Sequence, residues 1–282
     1  DKATIAIVEP RLSASAGKAD EWLPIKPGQD GALAVAISHI LLTEGLWYKP
    51  FVGDFTEGKN LFISGQTVDE ETFEERHTNG IVKYWNLELK DKTPEWASEI
   101  TGLSVEQIRR VAIGFGKAAP HAISWLGGGP CMQVRGGYTA MAVHALNGIV
   151  GAVDNIGGTL KANKEFTSKY PKPDDFMDEI AKKGKKHEKI DQRGRLHIPC
   201  IKTGKPGGAD ITNNAADGIL NDDPYQIKVA IGYMNNFSFS APQPERWERA
   251  LSKIPFLVHI TTNASEFSWF SDIVLPDTHH MF

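Results

Sequence analysis

Cysteine is nearly absent: Cys131 and Cys200 are the only two in 282 residues. Neither belongs to a C-x-x-C pair, so no disulfide framework and no thiolate-held cluster can be built from them. Long apolar runs are missing as well. No stretch approaches the roughly 18 apolar residues of a membrane span, and the start shows no signal-peptide pattern. Basic excess is missing: 31 Lys and Arg stand against 35 Asp and Glu, a net charge of −4. That balance excludes the basic face expected of a nucleic-acid binder, while leaving room for an anion held by backbone amides at helix starts. There is no G-x-G-x-x-G and no P-loop, so neither the common dinucleotide fingerprint nor a triphosphate site is indicated. No internal repeat points to a solenoid.

Metal-ligand spacing is also lacking. His279 and His280 are adjacent and on a strand would face opposite sides. His197 and Cys200 have no second pair, and His144 lies in an apolar helix, so each reads as structural or solvated. No Ser-His-Asp or Cys-His grouping is supported by local spacing.

What is present is an alternation of strands and helices, with 41% apolar residues, enough for one large domain or two ordinary ones. Residues 4 to 8 (Thr-Ile-Ala-Ile-Val) read as a buried strand, and Trp22-Leu23-Pro24-Ile25 as a second apolar stretch. Pro27-Gly28-Gln29-Asp30 then forms a turn with Asp30 as N-cap, opening a helix striped by Leu33, Ile37, Ile40 and Leu41 and stopped at Gly45. Residues 46 to 92 are less regular, with strand-like patches at Leu61-Phe62-Ile63 and Ile81-Val82. Thr93-Pro94-Glu95 starts a helix that ends at Gly102, and Ser104 to Gln107 forms a capping box for the next.

Ala122 to Leu126 reads as a strand, Gly127-Gly128-Gly129-Pro130 as a turn, and Tyr138 to Val150 as a helix. Residues 159 to 226 are expected to be an irregular insertion, with the run Lys182 to Lys186 a solvated face. Strands follow at Ile227 to Gly232, Phe256 to Ile260 and Asp272 to Pro276, with a helix from Pro244 to Leu251. The pattern predicts an α/β fold with doubly wound, mainly parallel sheets. The predicted division is a first dinucleotide-binding-like region at 1–158, the insertion at 159–226 and part of a second such region at 227–282. Both edges read as cuts through a folded unit, so a fragment is expected.

Ligands bind outside the carboxyl ends of parallel strands, and four loops qualify. Glu9-Pro10-Arg11 follows the first strand, where a carboxylate can accept from both ribose hydroxyls or stay a solvated turn acid. In the second loop Gly28 permits close backbone approach, and Asp30 can either cap the helix or accept from the N1–H and 2-amino edge of guanine. The third is the glycine turn 127–129 and the fourth is Gly232 to Asn236.

The order and spacing of these pieces resemble the molybdopterin oxidoreductase superfamily, the relatives of dimethyl sulfoxide reductase, formate dehydrogenase and periplasmic nitrate reductase. The resemblance rests on Ile5 to Arg11 with Gly17 to Leu33, on Thr93 to Ala97 with Thr101-Gly102 and Ile108 to Arg110, on Ala145 to Gly151 with Asn155 to Gly158, and on Ser268 to Pro276. It implies molybdenum or tungsten held by two molybdopterin guanine dinucleotides. By position, Glu9, Arg11, Gly28 and Asp30 would contact one guanosine end. Gly232, Asn235, Thr261 and Asp272 would lie around the other nucleotide, and Gly127, Gly128, Gly129 and Gln133 near the pterin and metal. Glu9 replaces the usual aspartate, Gln29 the common threonine, and Thr261 stands where many relatives have an aspartate.

The resemblance also implies an iron–sulfur cluster in an N-terminal part, a protein metal ligand and a C-terminal barrel, none of which this sequence contains. It further implies an iron–sulfur electron-transfer subunit, with a membrane anchor, in a periplasmic (twin-arginine exported) or cytoplasmic prokaryotic complex. The expected reaction is two-electron oxo or sulfur transfer. The character of the Gly127 to Arg135 loop is similar to that of sulfur- and arsenic-oxyanion or polysulfide reductases. A non-redox hydratase or transhydroxylase using the same cofactor, or a plain nucleotide-binding module, are the alternatives.

Overall fold

A computed structural model describes residues 3–160, 171–184, 190–191 and 212–279. His197, Cys200, His280 and the end of the lysine run at Lys185-Lys186 lie outside them. The chain forms two compact units, Asp1–Phe166 and Thr167–Phe282.

The first unit opens with β1 (Ala6–Val8) and β2 (Glu21–Leu23), paired in parallel with Ala6 opposite Glu21 and Val8 opposite Leu23. Parallel strands run out at one edge, so Glu9 and the segment after Leu23 emerge on the same side. The chain then enters α1 (Asp30–Thr43). The four residues of the expected stripe are buried, and so are Ala34, Ala36, Ser38, His39 and Leu42. This helix is therefore the centre of the unit, enclosed by α2 (Pro94–Thr101), α3 (Val105–Lys117) and α4 (Gly136–Ile149). Its two buried polar side chains are both satisfied. Ser38 Oγ donates to Ala34 O at 3.0 Å. His39 Nδ1 lies 2.7 Å from Leu89 O, and its Nε2 2.8 Å from Ser64 Oγ.

Residues 46 to 92 contain more structure than the sequence suggests, at different places. The strands are β3 (Gly53–Phe55) and β4 (Phe73–Glu75), antiparallel, with Phe55 opposite Phe73. Leu61 to Ile63 is not a strand. Phe62 instead enters an aromatic cluster, 5.0 Å from Phe55, 5.6 Å from Trp47 and 5.2 Å from Trp85 between ring centres. Ile81-Val82 opens a helix, Ile81–Tyr84, that continues as a π turn, Trp85–Leu89. The Glu75 carboxylate caps it, accepting from Gly80 N at 2.6 Å and Ile81 N at 2.9 Å.

The capping signals before α2 and α3 correspond to bonds: Thr93 Oγ1 accepts from Trp96 N and Ser104 Oγ from Gln107 N, each at 3.2 Å. The capping box is only half made, because Gln107 Nε2 reaches β2 and donates to Trp22 O at 2.8 Å. Ala122 to Leu126 is not a strand either. Asn147 of α4 pairs with Ser124 in both directions, accepting from Ser124 N at 2.8 Å and donating to Ser124 O at 2.9 Å. One side-chain amide thus does what a neighbouring strand would do.

The second unit holds a parallel sheet in the order β5 (Val229–Tyr233), β6 (Phe256–Thr261), β7 (Ile273–Pro276). Its core joins Ala216 and Ile219 of α5 (Thr212–Asn221), Trp247 and Leu251 of α6 (Pro244–Lys253), Leu257 and Phe267. Helix α5 lies within the stretch read as irregular, whose polar composition hides three buried positions, Ala216, Gly218 and Ile219. The molecule combines helices with parallel strands, the α/β class expected.

Candidate nucleotide-binding sites

In the first unit, three expected site residues meet where α1 and α4 begin. Gly28 has φ of +85°, and a Cβ there would come within 2.8 Å of Gln133 Oε1. Only glycine combines that backbone with that approach. One turn on, a Cβ on Gly31 would lie 3.0 Å from Thr139 Oγ1, so the first turns of the two helices lie side by side. Asp30 is the first residue of α1, not its cap. Gln29 holds the cap position, and no side chain bonds there. This corrects the N-cap expectation and leaves the half-buried Asp30 carboxylate without a partner among the described residues. The glycines Gly127, Gly128 and Gly129 are exposed, and a 3-10 turn, Gly129–Cys131, leads from them towards Gln133.

Glu9 sits at the carboxyl edge of β1. Its backbone extends the pairing, with its N–H on Leu23 O at 3.1 Å, and its carbonyl accepts from Trp22 Nε1 at 2.8 Å. One carboxylate oxygen accepts from Ser13 Oγ at 2.5 Å. Arg11 is exposed beyond it and makes no ion pair among the described residues. Among the described residues the edge therefore carries one held acid, one cation without an ion pair and, through the following loop, one acid without a partner at a helix start. That donor and acceptor set suits a purine nucleoside with an anionic group.

In the second unit Gly232, Asn235 and Thr261 gather at the carboxyl ends of β5 and β6. Gly232 is buried, and a Cβ there would strike the Phe267 ring at 2.6 Å and Asn235 Oδ1 at 3.0 Å. Among the described residues no donor reaches the buried Asn235 Oδ1. Its carbonyl lies 3.2 Å from Nε2 of the fully buried His259, whose Nδ1 lies 2.9 Å from Ser268 Oγ. An Nε2–H given to the Asn235 carbonyl leaves Nδ1 to accept from the Ser268 hydroxyl, so the partners fix the tautomer. Asn236 closes the loop, donating to Glu266 Oε2 at 2.6 Å and accepting from Phe267 N at 3.2 Å. The Asn236 amide and the Glu266 backbone hold the Glu266 carboxyl below the ordinary glutamate range. Thr261 Oγ1 donates to Asn263 O at 2.8 Å.

Asp272 does not join this group. It precedes β7, and its carboxylate accepts from Leu257 N at 2.7 Å near the start of β6. It lies at the amino edge of the sheet, at the other end from Gly232 and Thr261, and makes a structural bond there. The acid that does stand at the carboxyl edge is Asp277, whose N–H donates to Thr261 O at 3.0 Å. Sequence reasoning also missed His259, although a lone polar residue inside Phe256 to Ile260 was its visible signal.

The described residues contain no group of three or more His, Cys, Asp or Glu able to hold a metal ion, and no helix of them is long and apolar enough to cross a membrane.

Residues 1–281 match the family model of molybdopterin oxidoreductase. The chain is 56% identical over its whole length to the arsenate respiratory reductase molybdopterin-containing subunit ArrA of Shewanella sp. (strain ANA-3), covering 33% of that protein. The subunit of the same name from Chrysiogenes arsenatis is 53% identical over 99% of the chain, again across 33% of its own length. The thiosulfate reductase molybdopterin-containing subunit PhsA of Salmonella typhimurium is 26% identical over 95% of the chain. Among solved structures, acetylene hydratase from Pelobacter acetylenicus superposes with a TM-score of 0.69 at 19% identity, over 97% of this chain and 36% of that one. The chain thus spans about a third of the length of these relatives. With a match running from one end to the other, it belongs to the molybdopterin oxidoreductase family.

Proposed function

We propose that the full protein is the molybdopterin-containing catalytic subunit of an arsenate reductase, and that this chain holds the nucleotide ends of its cofactor. The observation that carries the reading is identity above one half, along the whole chain, to two arsenate respiratory reductase subunits. Polysulfide, one of the sequence expectations, finds no support in those relatives and is set aside. The likeness to acetylene hydratase speaks for the fold alone, and a plain nucleotide-binding module does not account for a family match over residues 1–281.

When bound, the pterin-held molybdenum or tungsten supplies two-electron redox chemistry, by which arsenate takes up two electrons and two protons and leaves as arsenite and water. The chain's own residues bind and orient. Asp30 accepts from the N1–H and 2-amino group of one guanine, and Glu9 from a ribose. Gly28 and Gly232 admit close backbone approach, and Asn235 Oδ1 receives a donor from the second nucleotide. Guanine offers the paired donors that the Asp30 carboxylate, unpartnered among the described residues, would take, which favours the guanine dinucleotide form of the cofactor. Electrons would arrive through an iron–sulfur cluster elsewhere in the polypeptide and an iron–sulfur partner subunit, with a membrane anchor completing the chain.

The test is a dye-linked assay of the full protein, purified anaerobically, with arsenate, thiosulfate and dimethyl sulfoxide as acceptors. Arsenate should exceed the others in kcat/KM by at least about tenfold, or ~1.4 kcal/mol of transition-state binding. Equal or faster turnover of either competitor contradicts the assignment.

A further inference from the structure

The parallel ladder of β5 and β6 ends at Met234, whose N–H donates to Ile260 O at 3.3 Å. There the chain turns out of the sheet. Met234 has φ of +54°, a left-handed conformation that a residue with a side chain keeps only where its surroundings hold it. The next two residues are held in different ways. Asn236 is tied by its side chain, donating to Glu266 Oε2 and accepting from Phe267 N, so its amide serves the 3-10 turn Glu266–Phe270. Asn235 is tied by its backbone, through the 3.2 Å contact of its carbonyl with His259 Nε2. Its side-chain Oδ1 is left without a donor among the described residues.

Packing alone does not call for a histidine at this position. His259 shares a face of β6 with Leu257, is fully buried, and lies 4.7 Å from Phe267 between ring centres. An aliphatic side chain would fill that space without the cost of desolvating two ring nitrogens. The imidazole is accommodated because both nitrogens find partners. Ser268 Oγ, which accepts from Ser265 N at 3.0 Å, gives its own hydrogen to Nδ1. Nε2–H is thereby directed at a backbone carbonyl just beyond the end of the ladder.

We propose that His259 is a positioning residue for the second nucleotide: it fixes the Asn235 backbone, and with it the direction in which Asn235 Oδ1 is presented. Gly232 completes the arrangement, since a Cβ there would come within 3.0 Å of that oxygen. The inference rests on the proposed contact between Asn235 and the nucleotide, and adds to it a residue that acts through Asn235 rather than on the ligand.

The experiment is a double-mutant cycle on the full-length holoprotein, purified without oxygen, with Asn235→Ala, His259→Leu and the pair. The readout is the rate at which cofactor, measured as acid-released guanine nucleotide, escapes to the filtrate at a fixed temperature below unfolding. Each single variant is expected to lose it about tenfold faster than the wild type, as for one lost buried hydrogen bond, and the pair no faster than either. His259→Gln, whose amide can again donate to the Asn235 carbonyl, is expected to stay within about twofold of the wild type. Effects that multiply in the pair, to about a hundredfold, overturn the proposal, because His259 then acts on the fold independently of Asn235. A His259→Gln protein that loses cofactor as fast as His259→Leu overturns it too. If His259→Leu matches the wild type while Asn235→Ala does not, the positioning role falls alone and the nucleotide contact stands. If Asn235→Ala leaves the rate unchanged, the contact itself fails and the positioning role falls with it. Should His259→Leu not fold, His259→Asn takes its place in the cycle, keeping an acceptor for Ser268 and dropping only the donor to Asn235.

Discussion

Asp30 shows how a single residue separates binding from folding. As the first residue of α1 it makes no capping bond, so its removal forfeits only a favourable charge at a helix start, on the order of 0.3–1 kcal/mol. Asp30→Ala in the full protein should therefore leave thermal stability nearly unchanged and lower the guanine nucleotide retained per molybdenum. Unchanged nucleotide content, measured after acid release, would make Asp30 a bystander. The glycines behave differently. A methyl group at Gly28 meets the tip of a flexible Gln133 side chain, whereas at Gly232 it meets the Phe267 ring within a packed core. Gly232→Ala is expected to cost about 1–3 kcal/mol in denaturant unfolding, as overpacking does.

Glycine before a helix and an acid at its start were legible because both are local signals. Asp272 stands apart from Gly232 and Thr261 for a physical reason: an acid that precedes its strand lies at the amino edge of a parallel sheet. Its bond to Leu257 shows the consequence.

Elements were legible where their caps were local and illegible where a distant side chain decides. Thr93 and Ser104 cap as their sequence suggests. The expected strand at Ala122 to Leu126 has the right composition, but its partner is the amide of Asn147, far along the chain. Asn147→Ala would leave Ser124 N–H and C=O unpaired where they are partly buried, at about 1–3 kcal/mol, and would loosen the glycine turn that follows. Hydrogen exchange of residues 122–131 is the check, with faster exchange expected there than in α2. The π turn at Trp85–Leu89 was equally invisible, since its anchor is the Glu75 carboxylate at the preceding helix start and its carbonyl at Leu89 serves His39.

That histidine gives the element a pH dependence. Burial of His39 outweighs its bond to Leu89 and the charges of Glu95 and Asp91, and lowers its pKa below the ordinary value of about 6.5. The unfolded chain then binds more protons than the folded one, so stability is fully present above about pH 6.5 and is lost as pH falls from there towards the lowered folded value. Unfolding midpoints of wild type and His39→Gln across pH 5 to 8 should show this fall in the wild type and a flatter curve in the variant.

For the whole molecule, alternation of strands and helices was enough to give the α/β class. The irregular reading of 159–226 was coarser, because a polar composition conceals the buried Ala216 and Ile219 that seat α5 on α6. The sites lie at the carboxyl edges of two separate parallel sheets, and among the described residues neither carries a metal-binding cluster. Because the chain spans about a third of its relatives' length, the proposed function expects the 282 residues alone to be inert with dye donors, and arsenate-dependent turnover by them would contradict it.

The central claim is that this chain cradles the nucleotide ends of a molybdopterin cofactor. Its most direct test is the content of metal and acid-released guanine nucleotide in the full protein purified without oxygen. The account predicts about two guanine nucleotides for each molybdenum or tungsten atom, as a paired guanine dinucleotide cofactor requires. A fully folded protein containing neither metal nor guanine nucleotide would contradict it.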